Sequence, residues 1–347
     1  MPWLGEFAER GDLAPLDEIL KDAAINPLDF HPTIWGAGKW KGVQYGIPIY
    51  CTTEILAIRK DLFNEQGVSF PRTFDETINI AKSFHDPDNK FYGIAWNAGR
   101  GMPIAHSFMF FLASARGSIM KISKPNMAGL SFYSDDALEL TINNDLSLEV
   151  IDYMRRLVDV SPPGIESVDW EKRIQYFMSG QVAMTYCWTM RAARFEYELN
   201  SRVKRRVAYL PPPSLSGKHV SSPVGGFLLT IPSYISLGQR KCIIDAIAWM
   251  ASPEAMKAHV KNGFPVAPRF SVCSDPEALD SSPIVSLVDG MARRNELVTW
   301  SRPPIKEYGL IERVLGEEIY SAIFEGKPAR QALIDAESKI YRSTGKQ

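Results

Sequence analysis

The side chains that could make or break bonds are scattered along this sequence rather than grouped. Its five histidines (His31, His85, His106, His219 and His259) stand alone, and none has a carboxylate at the spacing of a metal-ligand pair. Four cysteines, Cys51, Cys187, Cys242 and Cys273, lie far apart with no C-x-x-C, which excludes a zinc ribbon or a dithiol redox motif. Buried thiols are the simpler reading of them, and a single disulfide is the alternative. Asp86-Pro87-Asp88-Asn89 has the acidic start of a calcium loop but lacks its glycine and its spaced fourth carboxylate, so it reads as a surface turn. No G-x-x-x-x-G-K-[ST], H-E-x-x-H or G-x-S-x-G occurs. Phosphate-cradling, zinc-peptidase and serine-hydrolase chemistry therefore have no motif to rest on. No catalytic residue, cofactor or metal is expected.

The elements that must position any recognition site are clearest between Gly42 and Ala95. Tyr45 to Ile58 is a strand-like apolar run broken once by Pro48, and it meets a short helix at Lys60-Asp61-Leu62-Phe63. After Gly67 and Pro71 comes Thr73-Phe74-Asp75-Glu76, a capping box in which Thr73 and Glu76 satisfy each other's free amides. Phe74, Ile78, Ala81 and Phe84 follow at helical spacing, and Tyr92-Gly93-Ile94-Ala95 reads as the next strand. Further on, Ser147 is a candidate cap for a helix holding Val150, Ile151, Met154, Leu157 and Val158. Asp169 caps a second helix with Trp170, Ile174, Phe177 and Met178 on one face and Gly180 at its exit. Val182, Met184, Tyr186 and Trp188 then alternate at strand period. Val207 to Leu210 is another strand, stopped by three prolines, and Ser252-Pro253 restarts a helix after one around Cys242 to Met250. Two helices close the chain, one carrying Ile311, Leu315, Ile319 and Ala322, the other Ala332, Leu333, Ala336 and Ile340. Strands alternating with helices argue an α/β fold with mostly parallel sheets.

Composition bounds the rest. The 347 residues carry 39 Lys and Arg against 40 Asp and Glu, an ordinary globular balance without the clustered basic surface that nucleic acid requires. The densest basic run, Arg202-Val203-Lys204-Arg205-Arg206, reads as a solvated helix end or loop. No apolar run approaches the ~20 residues of a membrane helix. Met1-Pro2-Trp3-Leu4 has neither a basic n-region nor a cleavage site, so it is not a signal peptide.

Taken in order, Tyr45-Gly46-Ile47-Pro48, Lys60-Asp61-Leu62-Phe63, Gly67, Pro71, Thr73-Phe74-Asp75-Glu76 and Tyr92-Gly93-Ile94-Ala95 resemble the extracellular solute-binding proteins of sugar-type ATP-driven importers. That class includes maltose-binding protein. Phe177-Met178-Ser179-Gly180-Gln181-Val182-Ala183-Met184 with Trp188 looks like a second family signature. Gly225-Gly226-Phe227 resembles its G-G-W strand with Phe for Trp, and Gly263-Phe264-Pro265 with Arg269 its G-x-x-P-x-x-x-R turn. The resemblance covers essentially the whole chain. It implies a two-lobe periplasmic-binding-protein fold (type II-like), with the ligand in a cleft between lobes joined by crossing strands at Pro48 to Thr53 and at Gly225. The implied division is 1–52 with 225–275 as the N-terminal lobe and 53–224 with 276–347 as the C-terminal lobe. In the family, a segment like Leu4 to Leu16 lies well inside the mature protein, after two strand-helix units of ~60 residues together. The chain as given is therefore expected to lack the export signal and the first strands of lobe 1.

What the resemblance implies about function is capture of a carbohydrate or polyol and its delivery to the membrane permease of an ABC importer. It also implies a periplasmic location, a monomer, and no bond made or broken. A pyranose presents an apolar C–H face to aromatic rings and a rim of hydroxyls to amides, carboxylates or arginine. On that basis the implied ligand residues are Trp188, Trp96, Asn97, Thr52, Gly225, Gly226, Phe227, Arg269 and Tyr308. Trp188 would stack on the sugar, and Trp96 and Asn97 would reach it from a loop after a strand. Thr52 would face it from the crossing strand, with Glu54 structural. The two glycines would admit backbone amides to its hydroxyls. Arg269 would offer a planar fork, or else an internal salt bridge, and Tyr308 would precede the penultimate helix. Tyr50, Trp35 and Trp40 read as packing or rim. The alternatives are a carbohydrate-active enzyme with an acid/base carboxylate pair and a truncated, non-functional remnant.

Overall fold

A computed structural model describes residues 1–121, 138–264 and 267–345, and its chain divides into two units. Among the described residues, one comprises Met1–Thr53 with Pro223–Gly309, and the other 54–121, 138–222 and 310–345. Both mix helix and strand, as the alternation of periods in the sequence requires.

The second unit is built on four strands in the order Val207–Leu210, Thr52–Arg59, Val182–Trp188, Tyr92–Ala95. The first two junctions are antiparallel and the last is parallel, so the mostly parallel sheet expected from the alternation of strands and helices is corrected to a mixed one. The strand foreseen from Tyr45 to Ile58 is two pieces, Gly46–Pro48 and Thr52–Arg59, separated by the residues after the proline. The helix Phe74–Phe84 starts where the capping box places it: the Glu76 amide donates to Thr73 Oγ1 at 3.1 Å and the Thr73 amide to Glu76 Oε2 at 3.1 Å. It buries Phe74, Ile78, Ala81 and Phe84. Gly93 is what lets the neighbouring strand approach this helix, because a Cβ there would lie 2.3 Å from the Ala81 carbonyl oxygen. The helix Asp145–Val158 starts three residues earlier than the sequence suggested. Asn144, not Ser147, is its cap, and its Oδ1 accepts the Ser147 amide at 2.8 Å. Asp169 caps Trp170–Met178 as expected. Aromatic rings fill the core: Phe74 stacks on Tyr153 at 4.1 Å, Phe111 packs against Tyr153 and Tyr186, and the two tyrosine hydroxyls bond at 2.6 Å.

In the first unit, Gly46–Pro48 pairs antiparallel with Leu228–Thr230, and Thr52 and Thr53 pair with Gly225 and Val224. Its core collects Leu16, Phe30, Ile47, Ile231, Ile247, Met256 and Val285. Val285 belongs to the helix Pro283–Arg293. Residues 276–309 therefore belong with this unit, where the sequence reading had assigned them to the C-terminal lobe. The reason is that Ala278 and Val285, from the helices Pro276–Ser281 and Pro283–Arg293, pack into this core.

Candidate functional site

In the second unit, strand register gathers several of the expected residues. Tyr92–Ala95 and Val182–Trp188 are parallel with Ala95 opposite Thr185, so both carboxyl ends lie at one edge of the sheet. Thr52–Arg59 runs the other way and places Glu54 opposite Trp188 at the same edge. Trp96, Asn97, Trp188 and Glu54 therefore share the carboxyl edge of the parallel strands, where open α/β sheets bind their ligands. Their environments differ sharply. Trp96 is fully buried, donates Nε1–H to Ser161 Oγ at 3.1 Å and packs on Phe111. It is a core tryptophan, and the ligand role expected of it is corrected. Asn97 is buried too, but its Oδ1 accepts no hydrogen bond, while its backbone oxygen takes one from Ser107 Oγ at 2.6 Å. Trp188 ends its strand with 9% of its surface exposed.

Glu54 is paired with a residue that sequence reasoning passed over. Arg173, on the helix Trp170–Met178, donates Nη1–H to Glu54 Oε1, and both side chains are within 5% of complete burial. The guanidinium's other nitrogens, Nε and Nη2, are buried and find no acceptor among the described residues. A buried cation with two undonated N–H groups is costly unless something accepts from them. The hint of it in the sequence was an arginine beside Ile174 and at helical spacing from Trp170 and Phe177, on the helix's apolar face.

In the first unit, Thr52 is buried and pairs with Gly225. Gly226 has φ +134°, and a Cβ there would lie 2.1 Å from the Tyr50 carbonyl oxygen. Backbone approaches backbone at this point in a conformation that only glycine adopts without strain. Phe227 follows, 55% exposed, its carbonyl held by the Ile49 amide at 3.1 Å. Its ring meets Tyr50 edge-on at 6.1 Å, and Tyr50 stacks on Phe264 at 5.7 Å with His259 beside it at 5.6 Å. Phe264 is itself 42% exposed. Tyr50, assigned from sequence to packing or rim, is the hub of an aromatic set with two open rings. Pro265 of the expected turn lies outside the described residues.

Two further expectations are corrected. Arg269 is buried, donates Nε–H to the Ala251 carbonyl at 2.7 Å, pairs with Asp29 at 2.8 Å and lies over Phe30. It is the internal salt bridge. Burial raises the Asp29 carboxyl, but the bonds from Ser271 and Arg269 outweigh this and hold it below the usual range. Tyr308 is fully buried with its hydroxyl accepting from Arg302 at 3.0 Å, so it presents no surface to a ligand.

The isolated histidines of the sequence also find partners across long separations. His106 bonds Glu312 at 2.5 Å and meets the ring of Trp170, all within the second unit. In the first unit, ligand atoms of His31, Cys273 and Asp289 lie within 4.8 Å of one another, a grouping able to hold a metal ion. Burial lowers the His31 imidazole to about 4 and raises the Cys273 thiol to about 12.

The sequence profile of the bacterial extracellular solute-binding proteins matches residues 1–257. Among curated relatives, the maltotriose-binding protein of Pyrococcus abyssi is 25% identical over 290 residues, covering 82% of this chain and 56% of that protein. The mannitol-binding protein of Pseudomonas aeruginosa is 25% identical over 181 residues, 51% of this chain and 38% of the relative. The chain thus spans little more than half the length of the first of these relatives and less of the other. Among solved structures, an ABC transporter solute-binding protein from Agrobacterium radiobacter K84 in complex with ribitol superposes with a TM-score of 0.86. It is 26% identical, and the match covers 98% of this chain and 82% of that one. Maltose-bound T. maritima MalE3 superposes at 0.82 with 20% identity over the same shares of the two chains, which speaks to the fold alone.

Proposed function

Because this chain belongs to the family of bacterial extracellular solute-binding proteins, we propose that it captures a neutral carbohydrate or polyol and hands it to the permease of an ABC importer, leaving it unchanged. The observation that carries this reading is the aromatic set of the first unit: Tyr50 between the open rings of Phe227 and Phe264, with the bare backbone of Gly226 alongside. Open rings suit the C–H face of a polyhydroxyl chain or ring, and a glycine backbone admits hydroxyls to main-chain groups. Within the second unit, polar groups suited to hydroxyls are Asn97 Oδ1, an acceptor, and Arg173 Nε and Nη2, donors, with Trp188 at the same sheet edge as Asn97. The ribitol complex and the mannitol-binding protein among the similar proteins agree with a small polyol as well as a sugar. Thr52, Gly225, Gly226 and Phe227, joined by Tyr50 and Phe264, are the proposed ligand residues of the first unit, and Asn97 and Trp188, joined by Arg173, are those of the second, each unit taken by itself. A monomer working outside the cytoplasm fits the same reading, and among the described residues no helix is long and apolar enough to cross a membrane.

A thermal-shift panel of sugars, polyols, sugar acids, amino acids and glycerophosphodiesters tests the proposal. A solute at 100 times its Kd stabilises by about 2.7 kcal/mol, which a melting curve resolves. A selective rise with a sugar or polyol, and no product after incubation, supports capture. Turnover of a glycoside would favour the carbohydrate-active enzyme instead, and a rise confined to amino acids or phosphodiesters would refute the polyhydroxyl class.

A further inference from the structure

We propose that His31, Cys273 and Asp289 form a binding site for a single zinc-type transition-metal ion, independent of the solute site. The three residues come from separate segments of the first unit. His31 immediately precedes the helix Pro32–Gly36, Cys273 ends Phe270–Cys273, and Asp289 lies within Pro283–Arg293. Nothing in their sequence spacing brings them together, yet their donor atoms converge within 4.8 Å.

The imidazole is the independent sign of a missing partner. His31 is 1% exposed, and among the described residues neither Nδ1 nor Nε2 has a hydrogen-bond partner. Buried polar atoms are almost always satisfied, so an orphaned pair on one ring points to an unseen ion or water. Asp289 Oδ1 is the second orphan. It faces His31 Nε2 at 3.7 Å, too far for a hydrogen bond. The other carboxylate oxygen is bonded by Arg293 Nε at 2.7 Å, and Arg293 continues over the ring of Phe270 and to Ser274 Oγ. Arg293 thus fixes the carboxylate from behind, as outer partners of metal ligands do. Phe270 packs on His31 at 4.2 Å and fixes the ring.

The donor set chooses the metal. Nitrogen, sulfur and oxygen from His, Cys and Asp suit zinc and its borderline neighbours, while calcium and magnesium require oxygen alone. A tetrahedral zinc with bonds of about 2.0–2.3 Å holds its donors about 3.5 Å apart. The 3.7 Å between His31 and Asp289 already meets this, and contraction of the 4.8 Å limit by about 1 Å would complete the triangle. Binding replaces the Cys273 S–H proton by the metal, and the thiolate and carboxylate together balance the dication. Asp289 retains 15% side-chain exposure, which leaves a path for the ion and a fourth position for water.

The test is cobalt substitution in the full chain carrying Cys242→Ser, because Cys242 is an exposed thiol able to bind metal adventitiously. Cobalt chloride added to one equivalent should produce the thiolate-to-cobalt charge-transfer band and the visible bands of a four-coordinate ion. Zinc chloride should abolish both and raise the melting temperature. Cys273→Ser should lose the charge-transfer band, and His31→Gln and Asp289→Asn should each weaken uptake about tenfold or more while circular dichroism shows the fold retained. The proposal is overturned if the Cys242→Ser chain shows no charge-transfer band. A band that survives Cys273→Ser overturns it equally, as does a zinc-induced rise in melting temperature that His31→Gln does not change.

Discussion

The buried pair Glu54–Arg173 permits the sharpest energetic prediction. Arg173→Met leaves the Glu54 carboxylate, 4% exposed, without its guanidinium, and Glu54→Leu leaves Arg173, 1% exposed, without its carboxylate. Stripping one member from a buried pair costs about 3–5 kcal/mol, because the remaining charge keeps its desolvation penalty and loses its compensation. Replacing both by apolar side chains removes the two penalties together, and such exchanges are about neutral or stabilising. The double variant should therefore be more stable than either single one, with a coupling of at least about 3 kcal/mol. Urea titrations followed by tryptophan fluorescence give the four stabilities of the cycle. If Arg173→Met costs less than about 1 kcal/mol, or if the double variant costs the sum of the singles, the burial argument is wrong. Arg173→Lys then separates structure from recognition. It keeps the charge but removes the fork whose Nε and Nη2 find no acceptor among the described residues. If those groups serve solute hydroxyls, affinity falls about tenfold, which is ~1.4 kcal/mol; an unchanged Kd removes Arg173 from the ligand set.

Other substitutions sort the aromatic and backbone roles. Phe227→Ala should leave stability within about 0.5 kcal/mol, since the ring is largely exposed. It should weaken solute binding by about 0.5–1.5 kcal/mol in calorimetry, and an unaltered Kd would take the ring out of the site. Trp96→Phe should do the reverse, costing about 1 kcal/mol for the lost bond to Ser161 with affinity intact. Weaker binding at full stability would restore Trp96 to the ligand set. Gly226→Ala should destabilise by about 1–3 kcal/mol from its backbone angle, with the contact to the Tyr50 carbonyl adding to it; a neutral result in the same titration would contradict the close approach. Asp61 supplies a pH dependence. Burial raises its carboxyl, but bonding to Arg59 outweighs this and holds it below 3.8. A depressed acid stabilises the fold above its unfolded value, and that contribution is lost as pH falls through the folded one. The advantage of wild type over Asp61→Asn should therefore hold above pH 3.8 and shrink below it; a gap that widens on acidification would reverse the sign of the argument.

Local rules carried the fold a long way. The Thr73 capping box, the Asp169 cap, the strand alternation ending at Trp188 and the Ser252-Pro253 restart all depend on neighbours within a few residues, so they can be read from the chain. Where two caps compete within three residues the sequence is ambiguous, and Asn144 prevailed over Ser147. The site was less legible because burial is a tertiary property. Trp96 and Trp188 both stand at strand ends, yet only the packing of Phe111 and Ser161 makes the first a core residue. Arg269 was open between ligand and salt bridge until Asp29 was placed beside it. Tyr50 looked like filler because Phe227 and Phe264, the rings that give it meaning, are distant in sequence. The same holds for His31 with Cys273 and Asp289, which no spacing rule relates.

The interleaving of the two units bears on how the chain is made. Each unit draws its core from segments that the other interrupts, so neither is finished as it leaves the ribosome. The first cannot bury Phe30 fully until Val285 has been synthesised, and the second still waits for Leu333 and Ile340 in its final helix. Contacts so distant in sequence close late and slowly, and their apolar partners stay exposed meanwhile. Partial chains released early should therefore be prone to aggregation and to capture by chaperones, and loss of the last helix alone should be enough to keep a nascent chain in that state.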